Sequence, residues 1–294
     1  MEKTMTRIAP KALRASVGDV ELEYLFYPGK GPAIVFLHAT GFMPWIWDPI
    51  ARELAGEYTV VAPYFCDHRS AEPDNGGLAW HILARDVAGL FDALSLKNPF
   101  VVGHSMGAVI AALAEANHGP RASGMLLIEP IFLPEDLYRV KIGVDDHPLA
   151  SKSIRRRNHW DSVEQAKDYL RKKALFADWD EEMLDLYISY GMKGSEGKGL
   201  TLACTPRREA SLFMGSTATD PWPLLKKISC PTLVAEGEKS ENRAYIDLKK
   251  AANTLPRGRY QLIEGAGHLI PMEKPQVIGA LVKELAGQAT GINA

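Results

Sequence analysis

The stretch Phe100-Val101-Val102-Gly103-His104-Ser105-Met106-Gly107-Ala108-Val109-Ile110 constrains this chain more than any other. An apolar run enters a Gly-x-Ser-x-Gly turn, and a run of small and apolar residues leaves it. A β-run that passes straight into a helix through such a turn is a nucleophile elbow, which holds a serine hydroxyl out at the top of a sheet. Gly103 and Gly107 are expected where backbone and helix crowd the turn and a Cβ would clash. Met106 then opens the helix, and its N–H faces any oxyanion formed on Ser105.

The rest of the chain supplies the setting. Residues 13–17 and 20–27 alternate in polarity like two strands joined by a turn at Gly18-Asp19. Residues 33–37 are a continuous apolar run, the pattern of a strand buried on both faces, and residues 58–63 and 125–128 read as further buried strands. Residues 79–94 have helical spacing, with Ile82, Val87, Leu90 and Phe91 expected towards the core. Residues 47–54 and 108–118 also read as helices. After Pro130 the character changes: residues 131–222 contain no β-run of the buried kind, only helix-like segments at 162–175 and 180–190, with Asp180 as the expected N-cap. Alternation resumes with strands at 231–235 and 259–263, a helix at 243–254 between them and a closing helix at 275–286. The expectation is an α/β fold, a mostly parallel twisted sheet flanked by helices. Residues 1–130 and 223–294 form its core, and residues 131–222 form a helical cap or lid inserted after the strand that follows the elbow.

Composition narrows function by exclusion. The 294 residues are 46% hydrophobic and 24% charged, ordinary for a globular protein. The net charge of −2 provides no basic field to recruit nucleic acid. No apolar run is long enough to span a bilayer, and Met1 to Arg7 lead into no apolar segment of a signal peptide. Cys66, Cys204 and Cys230 are odd in number and far apart, which suggests reduced thiols in the cytoplasm. Nothing near Cys66-Asp67-His68 completes a metal site, so no metal and no cofactor are expected.

At this point the chain resembles the α/β-hydrolases over nearly its whole length. The matching motifs are Leu37-His38-Ala39-Thr40-Gly41-Phe42, Gly103-His104-Ser105-Met106-Gly107 and Gly265-Ala266-Gly267-His268, in that order and each after a strand. The resemblance implies an α/β-hydrolase fold and a serine-nucleophile, esterase-like hydrolase with a helical cap. It departs from the family pattern in three places. His38-Ala39 stands for the usual His-Gly. Pro63-Tyr64-Phe65-Cys66-Asp67-His68-Arg69-Ser70 replaces the usual Asp-x-x-Gly-x-Gly-x-Ser loop. Ser240 occupies the place of the Asp that commonly follows the penultimate strand.

The chemistry follows from the residue types. A serine hydroxyl is a weak nucleophile at neutral pH and needs a general base, and the base needs a carboxylate to fix its tautomer. His268, in a Gly-rich loop after the last strand, fits the base. His38 and His104 are rivals, to which the resemblance gives supporting positions beside the oxyanion loop and the elbow. Glu129, at the end of the strand after the elbow, is the expected acid, and the resemblance includes relatives with the acid at this strand end. Glu241, one residue past the usual acid position, is the alternative, and Glu236 is an outside candidate. The Met106 N–H is one expected oxyanion donor, and the resemblance makes Thr40 the other. Trp45 and Trp47, after the oxyanion loop, are candidates to face the pocket. Trp160, Tyr169, Leu175, Phe176, Trp179, Leu186 and Tyr190 could line an acyl or aromatic pocket, although the cap's own core is the simpler account of each. The basic run from Lys152 to Arg157 reads first as a solvated face and second as a device to steer an acidic substrate.

The function expected is cofactor-independent hydrolysis of a carboxylic ester, lactone or thioester through Ser105, His268 and Glu129. The alternatives are C–C bond hydrolysis or haloperoxidase-type perhydrolysis by the same residues, and a ligand-binding protein with little turnover. The expected partner is a small apolar acyl or aromatic ester, with no nucleic acid and no membrane; a homodimer is left open.

Overall fold

Strands that are apolar on both faces must be covered on both faces, and this requirement sets the layering. The computed structural model describes residues 8–65, 68–119, 121–195 and 199–291. Its strands are β1 (Lys11–Val17), β2 (Val20–Tyr27), β3 (Ala33–Leu37), β4 (Thr59–Pro63), β5 (Phe100–His104), β6 (Gly124–Ile128), β7 (Met192–Ser195), β8 (Gly199–Leu202), β9 (Thr232–Gly237) and β10 (Gly258–Ile263). Eight of them form one sheet in the order β1-β2-β4-β3-β5-β6-β9-β10. β1 and β2 pair antiparallel, as do β2 and β4; every other pairing is parallel.

The helices are α1 (Asp48–Leu54), α2 (Trp80–Ala93), α3 (Met106–His118), α4 (Ala150–Ile154), α5 (Val163–Arg171), α6 (Glu181–Gly191), α7 (Pro206–Met214), α8 (Trp222–Leu225), α9 (Leu248–Thr254), α10 (Ile270–Glu273) and α11 (Pro275–Thr290). Alternate residues of the central strands feed two cores. Ile34, Phe36, Val102 and Leu126 pack with Ile50 of α1 and Ile278 and Val282 of α11. Val35, Leu37, Val101 and Leu127 pack with Leu83 and Val87 of α2, Ile110 of α3 and Leu248 of α9 on the other face. This places the C-terminal ends of β3, β5, β6 and β9 side by side, where open parallel sheets collect their reactive groups.

Among the described residues, 131–222 add no strand to this sheet. Their aromatic side chains Trp160, Phe176, Trp179 and Tyr187 join the first core instead. Helix α6 is tied to the sheet side by Arg52, which donates to both carboxylate oxygens of Glu182 at 2.7 Å. Asp180 caps α6 by accepting from the Glu182 N–H, as its sequence position suggests.

Four local expectations need correction. Residues 131–222 are not purely helical: β7 and β8 form a short antiparallel hairpin, and Trp160 exchanges both backbone hydrogen bonds with Leu200 of β8. Much of the hairpin is exposed, so no apolar run announces it. The segment expected as one helix at 243–254 is a 3-10 turn, Glu241–Ala244, followed by α9, which Asp247 starts afresh by accepting from the Lys250 N–H. The helix expected over 162–175 ends at Arg171, and a separate 3-10 turn follows at Ala174–Phe176. Ile82 is half-buried, and its neighbour Leu83 takes the fully buried position. Cys204 and Cys230 are buried free thiols. Residues 1–7 and the Cys66-Asp67 pair lie outside the described residues. Among the described residues no helix is long and apolar enough to cross a membrane.

Candidate active site

The elbow forms because only glycine fits on either side of Ser105. A Cβ on Gly107 would lie 2.3 Å from the Leu37 carbonyl oxygen, and one on Gly103 would lie 2.6 Å from Cα of Ala108. Helix α3 can therefore start directly over the ends of β3 and β5. Ser105 itself is driven to φ 55°, ψ −116°, a conformation L-residues rarely adopt, at a cost of about 1–3 kcal/mol. It is held there by its N–H donating to Ile128 O at 2.9 Å and by its carbonyl accepting from Ala108 at 3.1 Å.

The hydroxyl of Ser105 lies 3.1 Å from Nε2 of His268. Nδ1 of the same ring lies 2.9 Å from Oε2 of Glu129. Glu129 is 1% exposed and stands at the end of β6, also at positive φ, with its N–H donating to Ala235 of β9. Two further donors satisfy its carboxylate: the Gly237 N–H on Oε1 and the Ser240 hydroxyl on Oε2, both at 2.7 Å. Each carboxylate oxygen of Glu129 thus accepts from a donor other than the ring. Glu241 is exposed, and Glu236 instead accepts from the Tyr260 hydroxyl, at 2.5 Å.

The two rival histidines are fully buried. His38 donates from Nδ1 to the Ala39 carbonyl at 2.9 Å and lies against the ring of Phe65. Burial pushes its imidazole down to about 4. His104 donates from Nε2 to the backbone carbonyl of His268 at 2.9 Å, which ties down the loop carrying His268. Burial, reinforced by the nearby His268, lowers it to about 3. Both rings are neutral at physiological pH.

Thr40 and Met106 are buried neighbours, with the Thr40 hydroxyl 3.4 Å from the Met106 sulfur. Met106 is the first residue of α3, so its N–H is among the first-turn donors that lack a partner within the helix. The expected oxyanion pair is thus brought together beside Ser105. Trp45 stacks face to face on Tyr190 of α6, with centroids 3.7 Å apart, and donates to the Tyr64 hydroxyl. Trp47 is fully buried against Phe36, so it belongs to the core rather than to a pocket wall. Phe42 enters an aromatic cluster with Trp179 and Tyr187, each at 5.6 Å, and Phe176 packs on both of those. Leu175 is exposed, Leu186 half-buried, and Tyr169 lies against Trp160.

The basic run divides: Lys152, Arg155 and Arg157 are exposed, as a solvated face would be, and Arg156 is not. Arg156 turns inward and donates to both oxygens of Glu209 at 2.8 Å, whereas Arg157 lies over the rings of Trp160 and Tyr169. Two residues that sequence reasoning missed complete the surroundings of His268. Ser240 is one. The other is Asn242, whose side-chain amide lies 2.9 Å from Nδ1 and is in turn engaged by the Tyr245 hydroxyl at 2.5 Å. A signal for Ser240 existed: a hydroxyl in place of a carboxylate at the family's acid position is a donor, and a donor there implies an anion arriving from elsewhere. Among the described residues no group of three or more His, Cys, Asp or Glu side chains is placed to hold a metal ion.

A sheet of this topology, with a serine at a strand-to-helix turn facing a histidine and a buried carboxylate, defines the α/β-hydrolase class. A model of the alpha/beta hydrolase family matches residues 34–281, and the chain belongs to that family. Among characterised proteins it is similar to the dihydrolipoyllysine-residue acetyltransferase component of an acetoin cleaving system from Cupriavidus necator, with 26% identity over 93% of this chain and 68% of that one. It is also similar to 2-(acetamidomethylene)succinate hydrolase from Mesorhizobium japonicum, with 22% identity over 90% of this chain and 91% of that one. A crystal structure of E-2-(acetamidomethylene)succinate hydrolase superposes with a TM-score of 0.76 at 18% identity, covering 94% and 98% of the two chains, which is a likeness of fold.

Proposed function

We propose that this protein is a cofactor-independent serine hydrolase acting on a carboxylic ester, lactone or thioester. Ser105 gives its proton to Nε2 of His268 as its oxygen attacks the substrate carbonyl. The carbonyl oxygen takes the negative charge and is held by the N–H groups of Met106 and Thr40, each lowering the barrier by about 3–4 kcal/mol. The imidazolium, steadied by Glu129, returns the proton to the leaving group as the C–O or C–S bond breaks, leaving an acyl group on Ser105. Water, deprotonated by His268, then releases the acid and restores the serine.

The observation that carries this reading is the unbroken contact chain from Ser105 through His268 to Glu129, at 3.1 and 2.9 Å. The hydrolase among the similar proteins supports the reaction class. Residues 131–222 are read as a cap over the site, supported by the packing of Phe42 on Trp179 and Tyr187.

The test is intact-protein mass after treatment with a fluorophosphonate, alongside turnover of an activated ester such as p-nitrophenyl acetate. Wild type should gain a single adduct that Ser105→Ala lacks, and only wild type should turn over the ester. A folded wild type that takes no adduct overturns the reading and leaves a binding protein in its place.

A further inference from the structure

Nδ1 of His268 has two neighbours at the same distance, Oε2 of Glu129 and Nδ2 of Asn242, both at 2.9 Å. One ring nitrogen cannot donate to the first and accept from the second at once. An imidazole has two neutral tautomers, and the neighbours of one nitrogen decide which is present. If Nδ1 is bare and accepts from Asn242, the proton sits on Nε2 and points at Ser105, and the ring cannot take the serine proton. If Nδ1 carries the proton, Nε2 is bare and the ring is a base.

Glu129 decides the contest. Both of its oxygens already accept, from the Gly237 N–H and the Ser240 hydroxyl, so Oε2 offers Nδ1 lone pairs and no proton. Nδ1 therefore carries the proton. The Asn242 amide accommodates this by turning over, since its oxygen and nitrogen occupy nearly the same volume. Its carbonyl oxygen then faces Nδ1–H, and its NH2 donates to the hydroxyl of Tyr245, which can accept. Tyr245 is 52% exposed, which leaves its own proton free for water. The Asn242 carbonyl accepts from the Tyr245 and Ile246 N–H groups at 3.0 and 2.8 Å, so the backbone beneath the amide is fixed.

We propose that Asn242, braced by Tyr245, is a positioning residue for His268: its amide oxygen shares the Nδ1 proton with Glu129 and keeps Nε2 bare towards Ser105. This rests on the serine-hydrolase reading and adds a second acceptor to it. When the ring takes the serine proton, the imidazolium has two oxygens rather than one at Nδ1. The other groups around the ring are accounted for. His104 beneath it is neutral. Glu273 is occupied with the N–H groups of Gly267 and Leu269. Glu241 is exposed, and the phenol of Tyr245 is raised by burial and by the nearby Glu129, so it stays protonated.

The test needs no natural substrate. The rate at which a fluorophosphonate labels Ser105, measured against pH, follows the fraction of His268 that is neutral. In Asn242→Asp a second negative charge at Nδ1 should move the acid limb up by about 1–3 pH units. In Asn242→Ala the limb should move down and the plateau rate fall about two- to tenfold. Tyr245→Phe, on an exposed side chain, should move the limb the same way by less. Labelling of all variants with the wild-type limb overturns the inference while leaving Ser105 as the nucleophile. No labelling of wild type at any pH overturns the hydrolase reading and the inference with it.

Discussion

The hydroxyl of Ser240 lies 2.7 Å from Oε2 of Glu129, across 111 residues of chain. Ser240 stands where the resemblance places the acid, and it donates to the carboxylate that arrives from the neighbouring strand. Removing the hydroxyl in Ser240→Ala takes one donor from a buried carboxylate, a loss worth about 1–3 kcal/mol. The expected result is a lower urea midpoint together with a fall of roughly tenfold in kcat for an activated ester at unchanged KM. A variant as active and as stable as wild type would show that Glu129 does not depend on this bond.

Glu129 and Glu241 separate cleanly by substitution. Glu129→Gln keeps the shape but allows the wrong tautomer of His268, and kcat should fall about 10³- to 10⁴-fold, the scale seen when a triad carboxylate is made an amide. Glu241→Gln changes an exposed side chain and should stay within about twofold. Steady-state turnover of p-nitrophenyl acetate by the two variants decides between them, and a deep loss in Glu241→Gln alone would move the acid to the loop after β9.

The buried histidines make stability depend on pH in a definite direction. His38 and His104 have folded values near 4 and 3 against an ordinary 6.5. Between those limits the unfolded chain binds more protons than the folded one, so stability rises with pH there. It is fully present above about 6.5 and is lost as pH falls towards 4 and 3, by up to about 1.4 kcal/mol per pH unit for each ring. Urea unfolding at a series of pH values should show this slope. His104→Gln, which retains an N–H donor for the His268 carbonyl, should reduce it; an unchanged slope would remove His104 from the account.

Arg156 and Glu209 should behave as a unit. Their side chains are 26% and 10% exposed, so either one alone leaves a mostly buried charge unpaired. Arg156→Met is expected to lower stability by about 3–5 kcal/mol, and Arg156→Met combined with Glu209→Met to recover most of that loss. Unfolding free energies of the two singles and the double close this cycle, and strict additivity would count against the pairing.

Much of the sheet was legible because its strands announce themselves. Residues 33–37, 100–103 and 124–128 are apolar throughout, and a run of that kind fits only a strand covered on both faces. Ser105 and His268 were legible because glycines fix their surroundings. The acid was harder. Glu129 and Glu241 both follow strand ends, and sequence spacing does not reveal which carboxylate the loop after β9 leaves in solvent. Asn242 was invisible for the same reason: its place beside His268 comes from a turn that interrupts what periodicity presents as one helix. The β7–β8 hairpin was missed because short exposed strands carry no apolar alternation, and Arg156 because a charge run does not say which member turns inward.

Ser105 and Glu129 stand at the ends of adjacent strands, β5 and β6, joined by the single helix α3. The spacing between them is therefore set by one continuous piece of backbone that is finished before residue 131. Whatever the chain does between residues 131 and 222 cannot stretch or compress that pair. Evolution or an engineer could exchange that whole segment, which we propose to be the cap, without recalibrating these two groups. What such a graft must preserve is the return of His268 to its seat between them.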